Sequence, residues 1–284
     1  LTICLTWMCF SLSAQKIIDL SGKWSFSIDR QDNGEKEKWF SHTLNDCINL
    51  PGSMPEKLKG DEVTAKTQWT GSLYDSSYYY NPYMEKYRKE GNIKFPFFLT
   101  PDKHYVGAAW YQKEVNIPAD WKGERILLFL ERPHIETTVW VNGQKTGMQN
   151  SLCVPHQYDI TRYVRPGKCT ITIRVDNRIK EINVGPDSHS ITDQTQGNWN
   201  GIVGRICLQT TPKTYFDDIQ IYPEPEQKLA RVKVVIKGAG ITKIKLSAES
   251  FNTDKKHIVP AIQQEIKLNK GVTETEMVLP MGND

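Results

Sequence analysis

The feature that most constrains this chain is how often it is interrupted. Between residues 118 and 167, proline or glycine falls at Pro118, Gly123, Pro133, Gly143, Gly147, Pro155 and Pro166-Gly167. Breaks that close leave room for strands but not for an amphipathic helix of useful length. The intervening segments have strand character. Ile171, Ile173 and Val175 alternate onto one face, as in a half-buried strand, whereas Ile126 to Leu130 is a continuous apolar run suited to a strand covered on both sides. Thr137 to Val141 is followed by Asn142-Gly143, the dipeptide that two-residue type I′ hairpins favour. The expected fold is all-β, a jelly-roll sandwich over residues 15–212.

A second pattern begins near Pro212. Asp218-Ile219-Gln220-Ile221 runs into the break Pro223-Glu224-Pro225, and four further apolar alternations follow at Val232-Val234-Ile236, Ile244-Leu246-Ala248, Ile266-Leu268 and Met277-Leu279. Each reads as a short strand of an immunoglobulin-like β-sandwich over residues 213–284. Such a domain takes about 100 residues, so this one is expected to be C-terminally incomplete, with a free strand edge. From Trp69 through Tyr111 there are 13 aromatic residues, including Tyr78-Tyr79-Tyr80 and Phe97-Phe98. Disordered segments are poor in aromatics, so this stretch reads as an ordered insertion wrapping the sandwich. Its rings act either as packing against the sandwich or as a sugar-stacking platform.

Composition narrows the function. The formal charge of +3 over 284 residues, without a long basic block, argues against nucleic acid as a partner. Cys47, Cys153, Cys169 and Cys207 are widely spaced and form no C-x-x-C pair, so neither a zinc site nor a disulfide framework is expected, and no cofactor is implied. Residues 1–14 (LTICLTWMCFSLSA) are almost uncharged and end on small residues before Gln15-Lys16. That pattern fits the apolar core and cleavage region of a partial signal peptide, hence a secreted or periplasmic protein. The segment is too short for a membrane span, which takes about 20 apolar residues. A buried N-terminal strand is the other reading.

The run Leu130-Glu131-Arg132-Pro133-His134-Ile135-Glu136-Thr137-Thr138-Val139-Trp140-Val141-Asn142-Gly143 closely resembles the sugar-binding domain of glycoside hydrolase family 2, which includes β-galactosidases, β-glucuronidases and β-mannosidases. Collinear matches are Gly22-Lys23-Trp24-Ser25-Phe26, Leu50-Pro51-Gly52-Ser53-Met54, Pro155-His156-Gln157-Tyr158-Asp159, Val175-Asp176-Asn177 and Trp199-Asn200-Gly201 through Arg205. The resemblance implies a jelly roll, an immunoglobulin-like domain and then a (β/α)₈ barrel that carries two catalytic glutamates. Retaining glycosidases hold such carboxyls about 5–5.5 Å apart, one as acid/base and one as nucleophile. In the family the acid/base follows an asparagine. This sequence has no Asn-Glu dipeptide and no room for a barrel of about 250 residues. No catalytic residue is therefore expected here. The chain is expected to be the non-catalytic front of an exo-acting, β-galactosidase-like enzyme, sharing its carbohydrate substrate with the barrel. A stand-alone carbohydrate-binding module and a scaffold that mediates homo-oligomer contacts are the competing readings.

The candidate sugar contacts concentrate between Asp187 and Asn200, where His189, Asp193, Gln196, Asn198, Trp199 and Asn200 fall close together. Amides and carboxylates match sugar hydroxyls, which both donate and accept, and a tryptophan face suits a pyranose ring. By resemblance, this loop reaches the terminal sugar; Asn198 is the first candidate and Asp193 the second. The other reading makes Trp199 core and the amides turn caps. His104 falls where some β-galactosidases of the family place a substrate-touching asparagine, though a surface histidine is an equal reading. Glu131, Glu136 and His134, beside Arg132, are expected to form an ion-pair network and not an acid/base set.

Overall fold

The structure, a computed structural model, describes residues 16–71, 77–180, 188–252 and 255–282, with the side chains of 250–257 and 270 outside that description. The expected leader at residues 1–14, Asp187 of the candidate loop and the last two residues lie outside the described residues. The chain divides between Thr210 and Thr211 into two compact units.

In chain order the strands of the first unit are β1 (Ile17–Asp19), β2 (Gly22–Asp29), β3 (Asp46–Leu50), β4 (Gly52–Ser53), β5 (Asp61–Glu62), β6 (Lys103–His104), β7 (Ala108–Ile117), β8 (Arg125–Pro133), β9 (Glu136–Val141), β10 (Gln144–Asn150), β11 (His156–Asp159), β12 (Gly167–Asp176) and β13 (Gly201–Thr211). One sheet runs β1-β13-β8-β11, with β4 also on β13, and the other runs β10-β9-β12-β7-β2-β3. The core lies between them. Trp24, Phe26, Tyr111, Val139, Val141, Ile171, Ile173 and Val175 from the six-stranded sheet meet Leu128, Leu130, Ile202, Ile206 and Leu208 from the other. Alternation on β12 thus does what its period implies. The run on β8 is covered on both sides, with Phe129 buried and the Arg205 guanidinium 4.7 Å from its ring centroid. Asn142 and Gly143 both take positive φ, 50° and 76°, as a type I′ turn requires between β9 and β10.

On the outer face of the six-stranded sheet, Trp110 and Trp140 stack at 4.9 Å and bury Leu44 with Trp39 and Phe40. Beside them the expected ion network forms around Glu136, while Glu131 pairs separately with Arg132 at 3.7 Å. Arg174, 7% exposed, reaches Asp32, Glu136 and Asp176, while Arg178 and Lys180 also bind Asp176. Burial opposes ionisation of Asp176, yet hydrogen bonds from Arg178 and Lys180 outweigh it and hold the carboxyl far below its ordinary value. Glu131 also accepts from the Arg205 amide at 2.8 Å.

The aromatic insertion leaves and re-enters the sandwich through the β5–β6 ladder, where Asp61 faces His104. Trp69 sits edge-on to Phe95, Phe97 and His104 at 4.6–5.0 Å, and Tyr78 stacks on Phe95. These rings of the insertion are therefore packing. Tyr80, Tyr83 and Phe98 remain more than four-fifths exposed.

The second unit differs from its expected form. Among the described residues it is one antiparallel sheet, β14 (Tyr215–Glu224), β15 (Leu229–Asn252) and β16 (Lys255–Pro280), in the order β14-β15-β16. The four expected short strands merge into two long ones. The ladder between them is irregular at bulges between Gly238 and Gly240 and between Leu246 and Ala248, with Gly238 and Gly240 at positive φ. Val232, Val234, Ile236, Ile244, Ile266, Leu268 and Met277 form its core. On β14, Phe216, Ile219 and Ile221 are 50–65% exposed, next to the buried Ile236, Val234 and Val232 of β15.

Candidate functional site

The segment from Ser188 to Asn200 precedes β13 and is pinned at both ends. Asp193, 3% exposed, is its anchor. Its amide donates to the Thr70 carbonyl at 3.1 Å, and its Oδ2 accepts from the Thr70 amide at 2.7 Å. Its Oδ1 accepts from the Asn198 amide at 2.8 Å. His104 Nε2 lies 3.1 Å from Oδ2, and a carboxylate opposite makes that nitrogen the N–H donor. Each carboxylate oxygen offers two lone pairs, so Oδ1 keeps one acceptor position.

Asn198 is equally buried and fully oriented. Its Nδ2 donates to Thr70 Oγ1 at 2.9 Å and to the Asn177 carbonyl at 3.0 Å. Its Oδ1 therefore faces His134 Nε2 at 3.1 Å, which must carry the hydrogen. Burial pushes the His134 imidazole down to about 4, against the hydrogen bond to Asn198, so the ring is neutral at pH 7. That ring stacks on Trp199 at 4.6 Å and 22°, fixing one face of the indole.

Asp193, Gln196, Asn198, Trp199 and His104 meet on one cleft of about 380 Å³, together with Ser53, Glu56, Leu99 and Asp102. Gln196 is exposed at its rim. Phe98, whose amide donates to the Gln194 carbonyl at 3.4 Å, ties the insertion to this loop. Two candidates are placed elsewhere. Asn200 is 1% exposed and fully engaged inside: its Oδ1 accepts from the Tyr111 hydroxyl at 2.8 Å, and its Nδ2 donates to the Gly107 and Val175 carbonyls at 2.9 and 3.0 Å. His189 is exposed, and its carbonyl accepts from Thr195 Oγ1. Gly201, at φ +141°, follows directly, and a Cβ there would lie 2.5 Å from the Gly52 carbonyl, so only glycine lets β13 approach β4 behind the cleft.

Sequence reasoning missed Thr70, Asn177 and His134. Thr70 lies 123 residues before Asp193, and no local pattern links them. His134 carried a signal, since it sits between two glutamates, but it was assigned to their ion pairs. No group of three His, Cys, Asp or Glu side chains converges on a metal position among the described residues. No described helix is long and apolar enough to cross a membrane.

Such a cleft, with fixed acceptors, fixed donors and an indole, suits hydroxyl-rich ligands. Comparison with known proteins agrees. A family model described as "Glycosyl hydrolases family 2, sugar binding domain" matches residues 17–212. The β-glucuronidase of Homo sapiens is 24% identical over 258 residues, covering 80% of this chain and 34% of that protein. That of Paenibacillus borealis is 27% identical over 222 residues, covering 73% and 31%. The chain thus spans about a third of the length of the curated relatives it matches. Among solved structures, an uncultured Clostridium sp. β-glucuronidase superposes with a TM-score of 0.56 at 20% identity, covering 95% of this chain and 40% of that one. Ruminococcus gnavus β-glucuronidase in complex with D-glucuronic acid gives 0.58 at 18%, covering 95% and 41%; both show the shared fold. The chain belongs to glycoside hydrolase family 2, a family of O-glycosidases, through a sugar-binding domain over residues 17–212.

Proposed function

We propose that this chain is the non-catalytic, sugar-recognising front of a retaining β-glucuronidase, and that the hydrolytic carboxylates belong to polypeptide outside it. The convergence of Asp193, Asn198, Trp199 and His104 on one cleft carries the reading. In it, the free lone pair of Asp193 Oδ1 accepts a ring hydroxyl, and Trp199 offers an apolar face to the pyranose. Hydroxyls bound in this way orient the glycosidic bond without any proton transfer by the cleft itself. The choice of glucuronide over the galactoside expected from sequence rests on the relatives, β-glucuronidases both among the curated proteins and among the solved structures. No arginine or lysine lines the cleft, so the uronate carboxylate is met elsewhere in this reading. Export through the apolar N-terminal segment completes the proposal; N-terminal sequencing of the mature protein tests it.

The functional test compares 4-nitrophenyl β-D-glucuronide with the galactoside, using the natural polypeptide in full and the 284-residue chain alone. The full protein should prefer the glucuronide, Asp193→Asn should raise KM, and the isolated chain should show no turnover. A preference for the galactoside would overturn the substrate assignment. Enzyme-like turnover by the chain alone, lost on changing one of its own glutamates, would overturn the division of labour.

A further inference from the structure

The sugar cleft does not stand alone. On the far side of the short segment Thr100-Pro101-Asp102, which walls both, lies a larger groove of about 850 Å³ built from the aromatic insertion. Its lining combines charged and polar side chains with a larger share of apolar surface from residues such as Val63, Ile93 and Pro101. Three cations, Lys66, Arg88 and Lys94, face it, and none is ion-paired among the described residues. Of its three acids, Glu62 is already paired with Lys103, leaving Glu90 and Asp102. The cleft next to it, by contrast, has no cation at all. Both cavities fall within the roughly 300–1,000 Å³ range of ligand sites.

We infer that this groove is a second glycan subsite, one that takes the acidic sugar units attached to the residue held in the cleft. The natural substrate is then an acidic oligosaccharide and not a glycoside of a small leaving group. This inference rests on the glycosidase reading of the cleft. Two observations point the same way. The shared wall makes groove and cleft neighbours along one path, as consecutive sugar units need. Ammonium and guanidinium groups that line the groove and are absent from the cleft match carboxylates that recur along such a chain. Arg88 is held in place by the Tyr78 carbonyl and ring, so its charge is presented from a fixed position.

The test titrates the 284-residue chain with methyl β-D-glucuronide, with a hyaluronan tetrasaccharide ending in glucuronate, and with neutral chitotetraose, read by NMR shifts. The hyaluronan tetrasaccharide should bind about tenfold tighter than either of the others, as two exposed charge pairs allow. Lys66→Glu with Lys94→Glu should remove that advantage and leave methyl glucuronide unchanged. Lys36→Glu, outside the groove, should keep the advantage, and raising the salt should shrink it. Equal affinities for the three ligands, no binding of the tetrasaccharide, or indifference to the paired charge reversal would overturn the inference. Failure of the underlying reading shows separately, as a galactoside preference of the full polypeptide with aryl glycosides.

Discussion

Asn200 offers the sharpest separation of scaffold from ligand contact. Asn200→Ala removes three hydrogen bonds of 2.8, 2.9 and 3.0 Å at a position 1% exposed. It strands the Tyr111 hydroxyl and the carbonyls of Gly107 and Val175. A buried group left unsatisfied costs about 1–3 kcal/mol, with part recovered by relaxation or an entering water, so the sum is about 3–5 kcal/mol. Tyr111→Phe strands only Oδ1 of Asn200 and should cost about 1–2 kcal/mol. Burial holds the Tyr111 phenol well above its ordinary range, so it stays a donor at any working pH. The double variant should cost less than the sum of the two, by about 1 kcal/mol, because both singles break the same bond. Seven of the eight tryptophans, Trp24 through Trp199, belong to the sandwich unit, so tryptophan fluorescence during thermal unfolding reads mainly that unit. Asn200→Ala should lower its midpoint by about 6–20 °C, at about 2–4 °C per kcal/mol for a unit of this size. An unchanged midpoint together with lost sugar affinity would refute the reasoning and return Asn200 to the ligand.

Further expectations follow from the same geometry. His134 is pushed down to about 4, below the ordinary histidine value near 6.5, so the unfolded chain takes up its proton first as pH falls. The stability this neutral ring contributes is present above pH 6.5 and lost towards pH 4, in total about 3 kcal/mol; His134→Phe should flatten that part of a melting-temperature-versus-pH profile, and an unchanged slope would exclude the ring. Arg174→Leu leaves Asp176, fully buried, to Arg178 and Lys180, and Glu136 to Lys180 alone, and should cost about 1–3 kcal/mol in urea unfolding. Ile219→Lys on the exposed row of β14 should reduce concentration-dependent association in light scattering, while a variant that associates like the parent would clear that edge.

The sandwich was legible because burial on one face imposes period two, as at Ile171, Ile173 and Val175, and because Asn142-Gly143 can serve few turns other than the one it makes. The second unit departs from its expected short strands where local chemistry is ambiguous. Glycine at positive φ, as at Gly238 and Gly240, can end a strand in a turn or continue it through a bulge, and only pairing with the opposite strand decides between them. In the site, short polar residues crowded into one segment marked Asp193 and Asn198. Which amides face outward was not legible, because that depends on partners such as Thr70, Tyr111 and Asn177, remote in sequence and silent in composition.

Because Asp193 and Asn198 hold their own loop in shape, the floor of the cleft stands ready before any sugar arrives, and docking orders little of it. The same economy makes that floor hard to edit, since exchanging either residue for a different hydroxyl preference would loosen the wall that presents it. New tastes among descendants of this chain would therefore be written at Gln196, Leu99 and the insertion, which can vary without unfastening the base.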